Sequence, residues 1–497
     1  MLQVSADLFN SWNKDVRYCH WKSNEHLKEG LDGETDLDVY VFPEDKSIAE
    51  SHLRCCNYIK FVPQESSRYP MVDEWIGFDT KTGKLVHVHL HYQIITGTKF
   101  CKEYVFPIDK EIIETRVLDK DAKVYLASPE IEMIVLFARI VLKSTNKRNL
   151  TTRGYEAEVS YLKKRIDKDV LKEKCETLIG KRGDRYYELI LSDLTKKDDW
   201  KELKKIIYSW LDKYRKMSMI KVFLRTKYYW AKLYKDLFFI KYFNKAVISK
   251  KTFASANISL CFLGQDGSGK STLSIDVEKW LRWKIEAHRF YLGSGEHYKS
   301  PAKWFLSKAT SFRKGNKTSE ANIKNEQNVN VKIKKKTLVS IVAAIITAYD
   351  LKNVAKRAYC EVRRASNYSR QGAVSLFDRF PQNQFKGIYD GPKIRSIYVE
   401  NGYDYWIIKR MAHAEEKYIN KIQSYQPSVV FKLLLSPEES IKRKPFENYE
   451  QICQKHQITQ KIAFKGSEIH EIDATQDYRE ELLHVKNIIW NYFLKNQ

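Results

Sequence analysis

The chain has little cysteine, no long apolar run and, over one stretch, almost no acid; each shortage removes a class of protein. Its eight cysteines are scattered over 497 residues, with Cys55 and Cys56 adjacent and no Cys-x-x-Cys. They indicate neither a disulfide framework nor a zinc site, and a reducing cytoplasmic compartment fits best. The longest apolar run, Thr337 to Tyr349, is too short to span a bilayer and reads as a buried helix. The opening MLQVSADLFNSWNKD lacks the basic-then-apolar pattern of a secretory signal. No internal repeat is evident.

What the chain does have is size and positive charge. At 497 residues it is long enough for about two or three domains with real cores. Its formal net charge of +25 invites a nucleic-acid reading, but the charge is spread rather than gathered into a nucleic-acid motif. Part of it lies between Ile220 and Lys251, where nine lysines and arginines face one acid, Asp236. Phe223, Tyr228, Tyr229, Trp230, Phe238 and Phe239 are interleaved with them. A basic aromatic helix of this kind lies on an anionic membrane surface or packs as a connector between domains; 220–251 leaves peripheral membrane contact open.

Punctuation divides the chain into three. Residues 1–127 alternate short β-rich runs with turns and read as an α+β core. Ser128-Pro129-Glu130 is a helix start, opening a helical region with the basic aromatic connector over 128–255. A third region occupies 256–497; within it 308–336, rich in Lys, Asn, Ser and Thr, reads as a flexible insertion.

The third region opens on Gly264-Gln265-Asp266-Gly267-Ser268-Gly269-Lys270-Ser271-Thr272. The pattern is that of a phosphate-binding loop: glycines let backbone N–H groups curl round a polyphosphate, Lys270 reaches its terminal groups and Ser271 offers a hydroxyl to Mg2+. A bare match is weak, but the context fits. Ile258 to Leu263 is an apolar run of strand length, and Leu273, Val277, Trp280, Leu281 and Ile285 recur at helical spacing. The loop therefore joins a buried strand to a helix whose N-terminus faces the anion. Ala373 to Phe377 is a second buried strand and ends in Asp378-Arg379, where an acid orders a metal shell and an arginine grips a phosphate; a plain surface ion pair is the bland alternative. Val429 to Leu435 is a third strand. Ser436 and Glu439 then form a capping box, starting a helix that runs into Lys442-Arg443-Lys444-Pro445. That cluster serves as a cationic lid for phosphoryl transfer or as a solvated helix end.

These residues, with Ile472-Asp473-Ala474-Thr475 and Lys455, resemble the thymidylate kinase family, and more closely its branch found with bacterial surface-polysaccharide genes. The resemblance covers about residues 256 to 497. It implies a P-loop parallel α/β sheet with flanking helices, ATP as phosphoryl donor and Mg2+ as cofactor. Lys270 would sit on the β- and γ-phosphates, Ser271 on Mg2+, Asp378 and Arg379 at the metal and acceptor phosphate, and Arg443 in the lid. Asp266 would face the acceptor, a nucleoside monophosphate or a phosphorylated or hydroxylated sugar intermediate. Some family members carry an arginine just after that acid; here the position is Gly267, so positive charge has to come from the lid. The four arginines Arg357, Arg363, Arg364 and Arg370 line an acceptor site or form a solvated face.

The first region has its own constellation. Asp36 and Asp38 lie in the strand pattern Thr35 to Phe42, and period two puts both carboxylates on one face, where paired acids bind a divalent metal. With the strand Val16 to Trp21 and the following Lys22-Ser23, this resembles the polymerase-β-like nucleotidyltransferase core. That core has a Gly-Gly or Gly-Ser pair where this chain has Lys22-Ser23. Its third carboxylate sits on a later strand; here the strand Leu85 to Tyr92 carries His87, His89 and His91 and no acid. Such histidines suit Zn2+ or Mn2+ better than Mg2+, or are hydrogen-bonded sheet residues. The leading expectation is thus an ATP-dependent kinase of a small acceptor. A bifunctional kinase–nucleotidyltransferase and a nucleotide-gated protein that binds nucleic acid or a membrane surface are the alternatives.

Overall fold

A computed structural model describes residues 1–143, 155–192, 197–243, 247–254, 257–292, 338–446 and 448–496. The segment 308–336 lies outside the described residues. The chain forms two compact units, one made of Met1–Ala254 with Lys486–Gln497 and the other of Ser255–Val485. Both are mixed α/β.

In the first unit the strands are β1 (Tyr18–His20), β2 (Asp36–Val41), β3 (Ile59–Phe61), β4 (Val72–Phe78), β5 (Leu85–His91), β6 (Ile95–Thr96), β7 (Tyr104–Val105), β8 (Val117–Leu118) and β9 (Tyr125–Leu126). Seven of them form a mixed sheet in the order β3-β4-β5-β2-β1-β9-β8, with β2 and β5 parallel. The helices are α1 (Gln3–Asp15), α2 (Leu27–Leu31), α3 (Lys46–Cys55), α4 (Asp109–Glu114), α5 (Pro129–Lys143), α6 (Tyr155–Lys163), α7 (Lys168–Ile179), α8 (Gly183–Leu191), α9 (Lys197–Leu211) and α10 (Met219–Phe243).

Strand alternation decides which face does what. Leu37, Val39, Val41, Val86, Val88 and Leu90 all point to one face and are buried in a core shared with Leu8, Phe9 and Trp12 of α1 and Leu53 of α3. Each such side chain contributes about 1.5–3 kcal/mol through its burial. The intervening residues Asp36, Asp38, His87 and His89 therefore share the other face. A second core joins Cys19, Trp21 and Tyr40 of that face to α5, α7, α8 and α9 through Met133, Leu171, Tyr186 and Trp210. Helix α5 starts as its sequence implies: Ser128 Oγ accepts from the Ile131 amide at 3.4 Å.

In the second unit β10 (Ile258–Gly264), β11 (Ala287–Tyr291), β12 (Val374–Asp378), β13 (Val429–Leu434) and β14 (Glu468–Asp473) make a parallel sheet in the order β11-β12-β10-β13-β14. Its helices are α11 (Lys270–Leu281), α12 (Leu338–Ser369), α13 (Trp406–Ile422), α14 (Pro437–Arg443) and α15 (Tyr449–Lys461). A last helix, α16 (Tyr478–Lys495), runs on into the segment that belongs to the first unit. Every residue of β12 is buried, as a central parallel strand requires. The apolar run from Thr337 corrects one expectation. It begins α12, but Leu338, Val342 and Tyr349 are exposed, and the small Ala344 and Ala348 form its buried stripe. Small residues against α13 let those two helices approach, so the larger side chains are left outside. Among the described residues no helix is long and apolar enough to cross a membrane.

Candidate functional sites

The loop after β10 owes its shape to glycine. A Cβ on Gly264 would sit 2.3 Å from Ser268 Oγ and 2.9 Å from the Leu433 carbonyl, and Gly269 has φ +86°, a left-handed backbone that other residues rarely adopt. Lys270 follows as the first residue of α11, so the free N–H groups of that helix face the loop. Lys270 Nζ donates to the Gln265 carbonyl at 3.2 Å and lies 3.8 Å from Asp266 Oδ1. Burial lowers its pKa to about 8.

Asp266 is held by three cations. Arg379 reaches its Oδ1 at 3.3 Å, Lys455 pairs with its Oδ2, and Lys270 lies behind. Burial pushes the carboxyl up, but Lys455, Lys270 and Arg379 outweigh it and bring Asp266 to about 2. Such a group is a poor proton acceptor near neutrality. Arg379 itself has φ +76° and donates its amide to the Phe262 carbonyl at 3.2 Å, which turns the chain sharply at the end of β12. Parallel pairing sets Asp378 level with Phe262, immediately before the loop. Asp378 is 1% exposed; its Oδ2 accepts from Arg289 at 3.3 Å, while its Oδ1 has no hydrogen-bond partner among the described residues. Ser268 Oγ is also buried and unpartnered there. Ser271 and Thr272 are exposed at the start of α11.

Helix α14 brings its basic end to the loop. Arg443 donates to the Gly267 carbonyl at 3.4 Å and to the Ala474 carbonyl at 3.0 Å, and a Cβ on Gly267 would meet Arg443 Cβ at 3.7 Å. Ser440 Oγ donates to the Asp266 carbonyl at 2.5 Å. The cap at Ser436 forms, with its hydroxyl accepting from the Glu439 amide, while the Glu439 carboxylate pairs with Lys442. Gly264, Asp266, Gly267, Ser268, Gly269, Lys270, Ser271, Arg379 and Arg443 thus stand round one loop, with Asp378 beside it. Arg289 and Tyr389, whose hydroxyl accepts from the Gly264 amide at 2.8 Å, complete the surroundings without any local sequence signal. Of the four arginines of the preceding segment, Arg363 and Arg370 are exposed and Arg364 pairs with Glu361 at 2.7 Å.

In the first unit the register of β2 with β5 sets Asp36 beside His87 and Asp38 beside His89. Antiparallel pairing of β4 with β5 then adds Glu74 opposite His89, an acid the sequence reading missed. His87 lies 2.8 Å from Asp36 Oδ1 and 2.6 Å from Glu74 Oε2. His89 spans Asp38 Oδ1 at 3.3 Å and Glu74 Oε1 at 2.9 Å. Lys22 Nζ stands 2.8 Å from Asp38 Oδ1, and Ser23 after it has φ +57°. Burial raises Asp38, but Lys22, His89 and His91 hold it well below the usual carboxylate range. Glu74 is likewise held low, its burial outweighed by His89 and His87. His89 is lowered by burial and raised more strongly by Glu74 and Asp38, to about 9; His91 is lowered by burial to about 4. The face thus carries three carboxylates and three imidazoles, a donor set richer in nitrogen than Mg2+ usually takes.

The chain is similar to two curated proteins of Escherichia coli (strain K12). One, named uncharacterized ATP-binding protein YghR, is 29% identical over 230 residues, covering 45% of this chain and 83% of that protein. The other, named uncharacterized ATP-binding protein YghS, is 26% identical over 228 residues, covering 43% of this chain and 85% of that protein. No protein-family model matches the chain.

Proposed function

We propose that the second unit binds ATP in the Gly264–Thr272 loop and transfers its terminal phosphoryl group to a small acceptor, a nucleoside monophosphate or a phosphorylated or hydroxylated sugar intermediate. One observation carries the reading. Lys270, Arg379, Lys455 and Arg443 gather round a single loop with two acids paired among them, Asp266 and, on Arg379, Asp390, beside a buried Asp378 oxygen that has no hydrogen-bond partner among the described residues. That is an excess of cations at a helix N-terminus, the arrangement that a polyphosphate completes. The names of the E. coli relatives support the nucleotide.

In this reading the loop amides cradle the phosphates, and Lys270 leaves Asp266 to follow the terminal phosphate. Ser271 and Asp378 would hold Mg2+, which neutralises phosphate charge when bound. Arg379 and Lys455 grip the acceptor, and Arg443 covers the loop with the charge that Gly267 does not supply. Catalysis is then positioning and charge stabilisation: the bond from the terminal phosphorus to the departing diphosphate oxygen breaks as the acceptor oxygen bonds to phosphorus, a phosphate acceptor attacking as the anion and a hydroxyl acceptor passing its proton to solvent. Asp266, fully ionised among cations, orients them. The test is equilibrium titration with ATP and phosphotransfer to a panel of nucleoside monophosphates and sugars. Lys270→Ala is expected to lower both steeply; unchanged ATP affinity in that variant rejects the proposal.

A second reading concerns α10, which we infer lies on an anionic bilayer surface. Arg225 donates to the Phe100 carbonyl at 2.8 Å and Tyr229 to the Glu65 carbonyl at 3.3 Å, so one side is tied to the first unit. The rest is open: Ile220, Phe223, Leu224, Phe238 and Phe243 are each more than half exposed, with lysines between them. Exposed aromatics interleaved with lysines match an interface of apolar tails and anionic headgroups. Co-sedimentation with phosphatidylcholine vesicles, with and without phosphatidylserine, tests it. Salt-sensitive retention on the anionic vesicles alone is expected, weakened by Phe223→Ser with Leu224→Ser, and no retention rejects it.

A further inference from the structure

The imidazoles on the face of β2 and β5 are donors that first-row transition ions prefer over Mg2+. Three ligating atoms converge on one side: Asp38 Oδ1 lies 3.3 Å from His89 Nδ1 and 3.4 Å from His91 Nε2. Those separations are long for hydrogen bonds to a charged group, which run about 2.7–2.9 Å. They equal the edge of a tetrahedron, roughly 3.3–3.4 Å, drawn round an ion with bonds of about 2.0–2.1 Å.

The next layer out agrees. The other nitrogen of His89, Nε2, is 2.9 Å from Glu74 Oε1, and Glu74 is 5% exposed. Glu74 accepts from the Nε2–H, so Nδ1 is the nitrogen turned to Asp38, the orientation that a carboxylate gives a metal-ligating histidine. His87 locks Glu74 from the far side at 2.6 Å. The ring of His91 is held edge-on to Trp21, with centroids 5.3 Å apart, so its Nε2 is fixed in direction. Lys22 shows that Asp38 already draws a cation, and its ammonium is the competitor for the position.

We propose that Asp38, His89 and His91 bind a first-row divalent transition ion of the Zn2+ class, with Glu74 as the carboxylate that orients His89 and with Lys22 as the charge the ion displaces. Two imidazoles and one carboxylate form a donor set that prefers such ions to Mg2+ and leaves a coordination position for water or substrate. The site is built by strand register, independently of the nucleotide loop.

The test is titration of the metal-stripped full chain with Zn2+ by calorimetry, without nucleotide, repeated with Co2+ to read the visible absorption of a tetrahedral site. One site is expected, weakened about 100-fold or lost in His89→Ala and in His91→Ala, and tightened about tenfold in Lys22→Met, where the competing ammonium is gone. Lys22→Met leaves every ligand in place and so reports even if a histidine variant does not fold. Absence of a Zn2+ site in both the wild type and Lys22→Met overturns the proposal and makes Lys22 the permanent partner of Asp38; so does a Zn2+ affinity that His89→Ala and Asp38→Asn leave unchanged. Lys270→Ala should leave the titration as it is, so failure of the ATP reading and failure of this one are told apart.

Discussion

The nucleotide loop and the histidine face use the same device, a parallel strand pair that sets an acid beside a partner strand, and finish it with opposite charge. At the loop, Asp378 ends β12 level with Phe262 of β10, and the groups that gather nearby are Lys270, Arg379, Lys455, Arg443 and Arg289. On the face of β2 and β5, Asp36 and Asp38 are joined by a third acid, Glu74, and by three imidazoles. Cations outnumber acids in the first arrangement, and carboxylates and imidazoles dominate the second. Sheet position therefore brings functional groups together, while the neighbours that arrive from other elements choose the ligand.

The largest effect expected on this comparison comes from Lys270→Ala. Phosphotransfer should fall on the order of 1,000-fold, as when a donor to developing charge is removed, with ATP affinity down roughly 10- to 100-fold. If Zn2+ binding falls with it, the two sites are not independent.

Asp266→Asn gives the next largest change, and its pH dependence carries the sign. The folded Asp266 has its pKa lowered from the usual 3.8 to about 2, the attraction of its cations exceeding the cost of burial. A depressed carboxylate contributes stability above the unfolded pKa and loses it as pH falls through the folded one. The variant should be less stable by about 2 kcal/mol at pH 6, with the gap closing between pH 4 and about pH 2. Denaturant melts across that range check it; a gap constant with pH would mean Asp266 is not held by its cations.

Tyr389→Phe tests a support that the histidine face has no counterpart to. Its hydroxyl accepts from the Gly264 amide and lies 3.1 Å from Thr459 Oγ1. Removing it should cost about 1 kcal/mol of stability and weaken ATP binding several-fold, with the Zn2+ titration untouched. The smallest effect belongs to α10. Lys221→Ala and Lys235→Ala should each weaken retention on anionic vesicles by about 1 kcal/mol or less, with no effect at either site.

Much of the loop was legible because its requirements are local. Gly264, Gly267 and Gly269 meet backbone demands, Lys270 opens a helix, and the apolar runs before them and before Asp378 can only be central strands. Lys455 was legible only through resemblance. Arg289, Tyr389 and Ser440 were not, since they reach the loop from other elements and nothing in their own neighbourhoods marks them. In the first unit, period two placed Asp36 and Asp38 on one face and the three histidines on another strand. That those strands are neighbours, and that β4 lends Glu74, depends on pairing order, which no short stretch of sequence encodes. The exposed side of α12 escaped for a related reason: a run of large apolar residues reads as buried until one sees that Ala344 and Ala348 are what its partner helix contacts.

The return of residues 486–496 to the first unit bears on how the molecule comes into being. Trp490 packs on Phe78 and donates to the Asn57 carbonyl, and Phe493 packs on Phe253. Part of the first unit is therefore covered by residues that leave the ribosome more than two hundred positions after Ala254. The nucleotide-loop unit, contiguous from Ser255 to Val485, is fully synthesised before the unit that precedes it can be sealed. During translation the earlier unit has to wait, with Phe78 and Phe253 lacking those aromatic partners, for the later one to finish.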